Sequence, residues 1–310
     1  MAASLSRVTD SLSRKLALIG SKGMLAAAVL RCAGPEWEIA ELDLPEFDLT
    51  DSSLVLSVLG NISPQVIVNC AAYTNVDGAE AEEALAMRVN GEGPGNLARV
   101  ARQLGSTLVH ISTDYVFDGK KVSPYEEDDP VAPMSAYGRT KLAGERAITE
   151  SGLERFYIVR TSWLYGSRGK NFVETIVRLA AERDELRIVA DQVGSPTFTV
   201  DLAHAIFNLL GPTPHSSLLT PHAPHGIYHY SNEGQCSWYE FACAIISVAQ
   251  HQGLPIKVRN VLPIKTEEYP LPAQRPAYSV FSKDKYRSAT KAVVPDWQTS
   301  LKRYFQERSP

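Results

Sequence analysis

Tyr137 and Lys141 lie four residues apart in the segment AYGRTKLAGE, and a helix would place both side chains on one face. A ketone reductase needs a proton donor at the carbonyl oxygen while a hydride adds to the carbon. A free tyrosine, with a pKa of about 10, is a slow donor, and a nearby ammonium can lower that pKa by roughly 1–3 units. Thr113 ends an apolar run and could hydrogen-bond the same oxygen. These three residues are the predicted catalytic group.

A glycine-containing loop, GSKGMLA, follows the first apolar run and opens the first helix-like segment. Gly20 permits a tight turn, and Gly23 lets the backbone approach a pyrophosphate at the positive end of a helix. Ala26 stands where the usual pattern has a third glycine. Because the loop joins a strand to a helix, it indicates a nicotinamide dinucleotide site. The predicted cofactor contacts in this loop are Gly20, Ser21, Lys22, Gly23, Met24 and Leu25.

Two residues leave the choice between NADPH and NADH open. Asp43 lies about twenty residues past the loop, where a carboxylate would accept hydrogen bonds from an adenosine ribose and favour NADH. Lys22 could instead neutralise a 2′-phosphate and favour NADPH. The remaining predicted cofactor contacts are Asp48, Leu49, Ala71, Ala72, Tyr73 and Thr74, together with Tyr137 and Lys141.

Apolar runs alternate with helix-like segments through the first half of the chain, which is typical of a parallel sheet. Strands are predicted at 15–19, 38–42, 66–69, 107–112 and 156–160, and helices at 24–31, 52–59, 81–104 and 137–149. The third helix is expected to be interrupted around 91–95. The predicted fold class is α/β, a Rossmann-type doubly wound parallel sheet with a smaller C-terminal substrate-binding lobe. The chain is therefore divided into three predicted regions: a disordered tail (1–14), an NAD(P)-binding Rossmann domain (15–165) and a region that is mainly the substrate-binding lobe (166–310). Some segments of this last region are expected to return to the Rossmann sheet.

The composition is that of a globular protein, with 310 residues of which 44% are hydrophobic and 21% are charged. A net charge of -4 argues against a dedicated nucleic-acid binder. No segment has the roughly 18 apolar residues of a membrane span. The first residues lack the apolar core of a secretory signal, and a cytoplasmic location is predicted. The histidines of the Pro- and Ser-rich segment 211–224 fit no metal-ligand spacing, so no metal site is predicted.

Six segments carry a resemblance to a known family: NCAAYTNVDGAE (69–80), ISTDYVFDG (111–119), AYGRTKLAGE (136–145), RTSWLYG (160–166), DQVGSPT (191–197) and LPAQRP (271–276). Together with the glycine loop, they resemble the extended short-chain dehydrogenase/reductases. Within that group the chain is most similar to the dTDP-4-dehydrorhamnose reductase family, from about Lys15 to Tyr304.

The resemblance implies NAD(P)H-dependent reduction of the C4 ketone of dTDP-4-dehydro-L-rhamnose to dTDP-L-rhamnose, a precursor of cell-surface polysaccharide. By this analogy Tyr137 protonates the sugar oxygen, Lys141 holds the nicotinamide ribose, and Thr113 orients the ketone. Trp163 would pack against the sugar, and Arg275 would pair with the diphosphate. The expected substrate contacts are Val76, Thr113, Asp114, Tyr115, Trp163 and Arg275.

Some members of this family are dimers held by a magnesium ion bound to glutamates. The matching positions here are Ala28 and Val200, which cannot ligate a hard cation. A monomer or a homodimer that is not metal-bridged is therefore expected.

Two other functions remain open at this point. One is a non-catalytic NADP-binding regulatory subunit that resembles the β subunit of methionine adenosyltransferase, although RTSWLYG and Thr113 count against it. The other is a related nucleotide-sugar reductase or epimerase.

Overall fold

The central feature of the computed structural model, which describes residues 13–211 and 223–308, is a sheet of six parallel strands. Together with the strands of three smaller two-stranded sheets, the strands of the described residues are, in chain order, β1 (Arg14–Ile19), β2 (Trp37–Leu42), β3 (Val66–Asn69), β4 (Thr107–Thr113), β5 (Phe156–Thr161), β6 (Leu164–Tyr165), β7 (Glu185–Val189), β8 (Val193–Gly194), β9 (Thr197–Phe198), β10 (Gly226–His229), β11 (Cys236–Ser237) and β12 (Asn260–Ile264). The order in the sheet is β10-β5-β4-β3-β1-β2, and every neighbouring pair is parallel. The Rossmann-type parallel sheet expected from the sequence is confirmed.

The helices are α1 (Met24–Cys32), α2 (Ser52–Ile62), α3 (Val76–Ala81), α4 (Glu83–Met87), α5 (Gly93–Leu104), α6 (Ala136–Thr149), α7 (Phe172–Glu182), α8 (Thr199–Leu210), α9 (Trp238–His251), α10 (Asp284–Thr290) and α11 (Trp297–Glu307). A π-helical turn (Arg88–Glu92) joins α4 to α5, and short 3₁₀ turns span Asp114–Val116 and Thr266–Glu268. None of the helices within 13–211 and 223–308 is long and apolar enough to cross a membrane.

Strand β1 shows why the sheet is covered on both faces. Its side chains alternate: Leu16 and Leu18 belong to one buried cluster, and Ala17 and Ile19 belong to another. Successive side chains of a strand point to opposite faces, so an apolar run without polar positions needs helices on both sides.

The sheet has a topological switch point at β1, which lies between β2 and β3. The chain leaves β1 toward β2 and later crosses to the other side to form β3. Loops diverge at the carboxyl ends of two such strands and open a crevice in which ligands bind. Gly20, directly after β1, has φ +76°, and a Cβ there would lie 2.7 Å from the backbone nitrogen of Ala71. The close approach of the two loops therefore requires glycine.

The interruption expected around 91–95 is wrong. The helix breaks earlier, at Glu82 (φ -122°, ψ 37°), and then runs through the π-helical turn directly into α5. Its glycines serve packing instead. A Cβ at Gly91 would lie 3.3 Å from the Cβ of Ala143, and one at Gly95 would lie 3.2 Å from that of Ala147. Small residues let α5 and α6 pack closely without ending the helix.

The C-terminal part of the chain contributes one strand to the sheet, since β10 pairs with β5. The boundary at 165 between a Rossmann domain and a substrate lobe stays a prediction. Arg14, assigned to the tail from the sequence, is the first residue of β1. Residues 1–12 of that tail, and 212–222 of the histidine-containing segment, lie outside the described residues.

Candidate active site

A cavity of about 770 Å³ lies at the carboxyl ends of β1, β3 and β4. Most of the residues predicted from the sequence line it: Gly20, Gly23, Met24, Leu25, Asp43, Asp48, Leu49, Ala71, Ala72, Thr74, Val76, Thr113, Asp114, Tyr115, Tyr137, Lys141 and Trp163. Four predicted contacts lie outside its lining, namely Ser21, Lys22, Tyr73 and Arg275. The structure thus gathers the three predicted catalytic residues and most of the predicted cofactor contacts in one crevice.

Helix α6 begins at the position that brings Tyr137 into the cavity. The Ser135 side chain caps the helix by accepting a hydrogen bond from the backbone N–H of Gly138 at 3.2 Å. Gly138 lets the first turn approach the neighbouring loop, because a Cβ there would overlap the carbonyl oxygen of Tyr115. The Tyr115 ring contacts that of Tyr137 edge-on, with 5.4 Å between ring centroids.

The end of β4 supplies the hydroxyl and the carboxyl beside Tyr137. Thr113 Oγ1 donates to Asp114 Oδ1 at 3.0 Å and accepts from the backbone N–H of Tyr115 at 3.2 Å. Burial raises the pKa of Asp114 to about 6, although hydrogen bonds from Ser279 and Thr113 act in the opposite direction.

The phenol of Tyr137 does not titrate as the sequence suggested. Burial, together with the Asp114 carboxylate, raises its pKa to about 12, and a hydrogen bond with Thr113 partly offsets this rise. The expected lowering by Lys141 is therefore wrong for this structure, because desolvation of the phenolate dominates. A phenol that stays protonated at neutral pH is a proton donor, not a base.

Lys141 is almost fully buried, with 2% of its surface exposed. Its Nζ donates to the carbonyl oxygen of Ile111 at 2.6 Å, which ties α6 to β4. Burial lowers the pKa of Lys141 to about 8, while Glu145 and Cys70 raise it. The lysine therefore exchanges its proton close to neutral pH.

One turn further along α6, a buried ion pair joins the helix to two strands. Arg160 of β5 pairs with Glu145, with Nη2 and Oε2 2.7 Å apart and both side chains 3% exposed. Ser112 of β4 donates to the other oxygen of this carboxylate at 2.5 Å. These contacts hold α6, and with it Tyr137 and Lys141, against the carboxyl ends of β4 and β5.

The predicted cofactor end of the cavity is formed mainly by backbone. Gly23 caps α1 without a side-chain hydrogen bond. The first N–H groups of a helix then remain available, which suits a pyrophosphate at its positive end. Asp43 accepts from the backbone N–H groups of Lys22 and Leu44, both at 2.8 Å. The Lys22 ammonium donates to the Leu44 carbonyl. Lys22 and Asp43 therefore lie together at the rim.

Trp163 forms a wall of the cavity with a strained backbone, at φ +47°. A positive φ is unusual for a bulky residue and is found where the surroundings enforce it. The indole stacks on Trp238 with 3.5 Å between ring centroids and 8° between planes. Gly194 lies beneath it, since a Cβ there would be 2.6 Å from the indole ring.

Arg275 and Tyr73 have partners away from the cavity. The Arg275 guanidinium is bidentate to Asp77, at 3.0 and 2.8 Å, and so ties its loop to α3. The Tyr73 hydroxyl donates to Glu82 at 2.6 Å. The predicted contact of Arg275 with a diphosphate stays a prediction, because in this structure its hydrogen-bonding edge faces a carboxylate.

Residues 14–309 match the family described as the RmlD substrate binding domain. The chain belongs to this family. The dTDP-4-dehydrorhamnose reductase of Burkholderia thailandensis is 40% identical over 289 residues, covering 93% of this chain and 96% of the relative. The crystal structure of dTDP-4-dehydrorhamnose reductase from Bacillus anthracis str. Ames in complex with NADP is 42% identical, with a TM-score of 0.87 over 95% of this chain and 99% of that one. The resemblance inferred from the motifs is confirmed.

UDP-glucose 4-epimerase of Thermus thermophilus, in complex with NAD, also has a similar structure. Its TM-score is 0.74 with 20% identity, over 94% of this chain and 99% of that chain. At this identity the likeness shows a common fold only.

This member of the RmlD family also has cavity residues that sequence reasoning missed. Arg168 and Lys170 are exposed at the rim, in the loop between β6 and α7. They lie just after the motif RTSWLYG, and the pair of cationic side chains on either side of Gly169 is the sequence feature that could have indicated them. Asn69 and His110, which lie behind Lys141, were also missed, although Asn69 opens one of the quoted motifs. Within the described residues, no group of three or more His, Cys, Asp or Glu side chains could hold a metal ion.

Proposed function

We propose that this protein is an NAD(P)H-dependent oxidoreductase that reduces the C4 ketone of dTDP-4-dehydro-L-rhamnose to dTDP-L-rhamnose. The observation that carries the proposal is the meeting of Tyr137, Thr113 and Lys141 in one cavity at the switch point of the sheet. Relatives that match over nearly the whole chain are named for this reaction. A non-catalytic subunit would have no need of a protonated phenol beside a buried lysine.

The cofactor site is suited to a dinucleotide on structural grounds. The cradle at Gly20 has no room for a Cβ, and the uncapped start of α1 lies beside it. NADPH or NADH bound there would supply the hydride that adds to C4. Asp43 and Lys22 at the rim are the residues that would contact the adenosine ribose or its 2′-phosphate.

Tyr137 supplies the proton to the sugar oxygen, because its pKa of about 12 keeps it protonated until the oxygen becomes basic. Thr113 orients the ketone when its proton turns from Asp114 toward the substrate oxygen. Lys141 would donate to the nicotinamide ribose of a bound cofactor and would stabilise the phenolate that Tyr137 leaves. Trp163, Val76 and Tyr115, which line the same cavity, are the proposed sugar contacts.

The proposal is tested by mixing the protein with enzymatically made dTDP-4-dehydro-L-rhamnose and following the oxidation of NADPH and NADH. The expected result is stoichiometric oxidation with dTDP-L-rhamnose as the product. An epimerase would interconvert the sugars without net oxidation and would retain its cofactor through dialysis. A regulatory subunit would bind NADP and turn nothing over. Either result contradicts the proposal. A monomer or a homodimer that is not metal-bridged, and a cytoplasmic location, stay predictions.

A further inference from the structure

Three buried polar side chains, those of Asn69, His110 and Lys141, form a row that runs back from the cavity, and the first two have no part in the reaction proposed above. Asn69, the last residue of β3, is the cross-strand partner of His110 in the middle of β4, and Asn69 Nδ2 lies 3.0 Å from His110 Nδ1. On its other side, His110 Nε2 lies 3.3 Å from Lys141 Nζ. The three residues are at most 2% exposed. We call them the Asn69–His110–Lys141 row.

The hydrogen bonds of Asn69 determine which nitrogen of His110 carries the proton. The backbone N–H of Ala71 donates to Asn69 Oδ1 at 3.1 Å, and this contact orients the amide. The Nδ2 group therefore faces the imidazole and donates, so that His110 Nδ1 must accept. A neutral imidazole has one N–H, which then lies on Nε2 and points at Lys141.

We propose that His110, held by Asn69 in the tautomer with its proton on Nε2, is a positioning residue that donates a hydrogen bond to the amine of Lys141. An ammonium has three N–H groups and no lone pair, whereas an amine can accept. The amine can still donate to the Ile111 carbonyl, so the row satisfies the neutral lysine and opposes the charged one. The proposal rests on the function proposed above for Lys141 and adds how its protonation is controlled.

The groups around Lys141 agree with this assignment. Burial and the Lys141 ammonium hold the pKa of His110 well below its usual range, so the ring is neutral. Burial raises the pKa of the Cys70 thiol to about 12, which removes that group as a counter-ion at neutral pH. Tyr137, on the same helix, is also neutral. Among the described residues, Glu145 is the one carboxylate that raises the pKa of Lys141, and it is shared with Arg160.

A lysine that releases its proton near the working pH can pass it on most readily, since general acid–base catalysis is most effective when the pKa lies close to the operating pH. The row is thus a device that keeps Lys141 in that range. It acts through the tautomer of a histidine that contacts Lys141 but does not itself line the cavity.

The substitution Asn69→Asp reverses the direction of the hydrogen bonds along the row, while the side chain at position 69 keeps its shape. One carboxylate oxygen still accepts from Ala71, and the other accepts from His110 Nδ1, which moves the lone pair to Nε2. His110 then accepts from the Lys141 ammonium, and the pKa of the lysine rises. The readouts are the pH dependence of NADPH affinity, by fluorescence of the full-length protein, and that of kcat. The midpoint pH at which NADPH affinity and kcat fall on the alkaline side should rise by about one pH unit or more, because the Lys141 ammonium persists to higher pH.

A double-mutant cycle separates the effect of the His110 tautomer on the pKa of Lys141 from the direct electrostatic effect of the new charge. In a His110→Leu background, Asn69→Asp should shift the alkaline loss by less than about half as much. An equal shift in both backgrounds would overturn the proposal. It would also be overturned if the Asn69→Asp variant had the same midpoint as the wild-type protein. Asn208→Asp, which adds the same charge on α8, is the matched control and should leave the midpoint in place.

If Asn69→Asp does not fold, His110→Gln provides the same test. Its amide oxygen can face the lysine, so the midpoint should again rise, and an unchanged midpoint counts against the proposal. NADPH affinity is measured without sugar. If the proposed sugar is not the substrate, the pH dependence of NADPH affinity can therefore still be measured. If the row does not control the protonation of Lys141, turnover of that sugar is still observed.

Discussion

The two ends of the cavity are built in different ways. At the proposed catalytic end, Thr113 and Lys141 are 5% and 2% exposed and are oriented by hydrogen bonds to neighbouring side chains and backbone. At the cofactor end, the Lys22 side chain is 68% exposed, and the shape depends on the backbone at Gly20 and Gly23. One end depends on side chains that are buried together, and the other depends on main-chain conformation.

This difference has an energetic reason. A proton donor and a lysine must keep one geometry and a shifted pKa, and both require a desolvated and fully bonded surrounding. A pyrophosphate is recognised by N–H groups that every residue carries, so that only steric access has to be provided. We therefore expect the catalytic end to be sensitive to the loss of single polar atoms, and the cofactor end to added bulk.

The largest effect is expected from removing the hydroxyl of Tyr137. Tyr137→Phe should lower kcat by roughly 10²–10⁴-fold, the usual contribution of a positioned acid, and leave NADPH affinity nearly intact. Steady-state kinetics and cofactor binding by fluorescence check both parts. In Lys141→Ala, by contrast, rate and cofactor affinity should fall together. A Tyr137→Phe variant with the native rate would show that the acid lies elsewhere.

The next effect concerns the ion pair behind the catalytic end. Glu145→Gln leaves the buried guanidinium of Arg160 without its counter-ion and should lower the free energy of unfolding by about 3–5 kcal/mol. Glu83→Gln breaks a bidentate pair with Arg139 that is more than 40% exposed on both sides, and it should cost about 1 kcal/mol or less. Urea denaturation measures the two side by side. Equal losses would contradict a burial-dependent role for the pair.

At the cofactor end, added bulk is the informative change. Gly20→Ala combines a positive φ with a Cβ that would lie 2.7 Å from Ala71 N, and should lower the free energy of unfolding by about 2–4 kcal/mol and weaken NADPH binding. Gly253 has nearly the same φ, with no atom of the described residues within 4 Å of a Cβ. Gly253→Ala should therefore cost only about 1–2 kcal/mol. If the two variants lose the same stability, the close approach of the loops is not what requires glycine.

The smallest effect is expected at the exposed rim. Lys22→Ala should weaken NADPH binding by about 1.4- to 5-fold, in line with about 0.2–1 kcal/mol for an exposed ionic contact, and leave NADH binding unchanged. Titration with both cofactors at low and high salt checks this, since the difference should shrink as salt is added. A loss that is equal for both cofactors would assign Lys22 to the loop alone.

Much of the catalytic end was predictable because it depends on local patterns. Tyr137 and Lys141 lie on α6 as their spacing requires, and Thr113 is the last residue of β4. The glycine loop was predictable for the same reason, since Gly20 directly follows β1. The direction of the Tyr137 pKa was not predictable, because it depends on how deeply the phenol is buried and on the carboxylate of Asp114 beside it.

Contacts between distant segments could not be read from the chain. The resemblance implies a contact of Arg275 with a diphosphate, and nothing in the motif LPAQRP shows that Asp77, on α3, faces it. The stack of Trp163 on Trp238 likewise joins residues 75 positions apart through the packing of α9. Such pairings depend on the placement of whole elements.

The sequence by itself determined the alternation of strands and helices, the glycine turn after β1 and the position of the tyrosine and lysine on one helix. Each of these depends on residues within about one turn or one strand of each other. The tertiary structure alone decided that His110 lies between Asn69 and Lys141, and that Glu145 is bound to Arg160. Protonation is set by desolvation and by partners brought together across the sheet, and these exist only once β3, β4, β5 and α6 have packed.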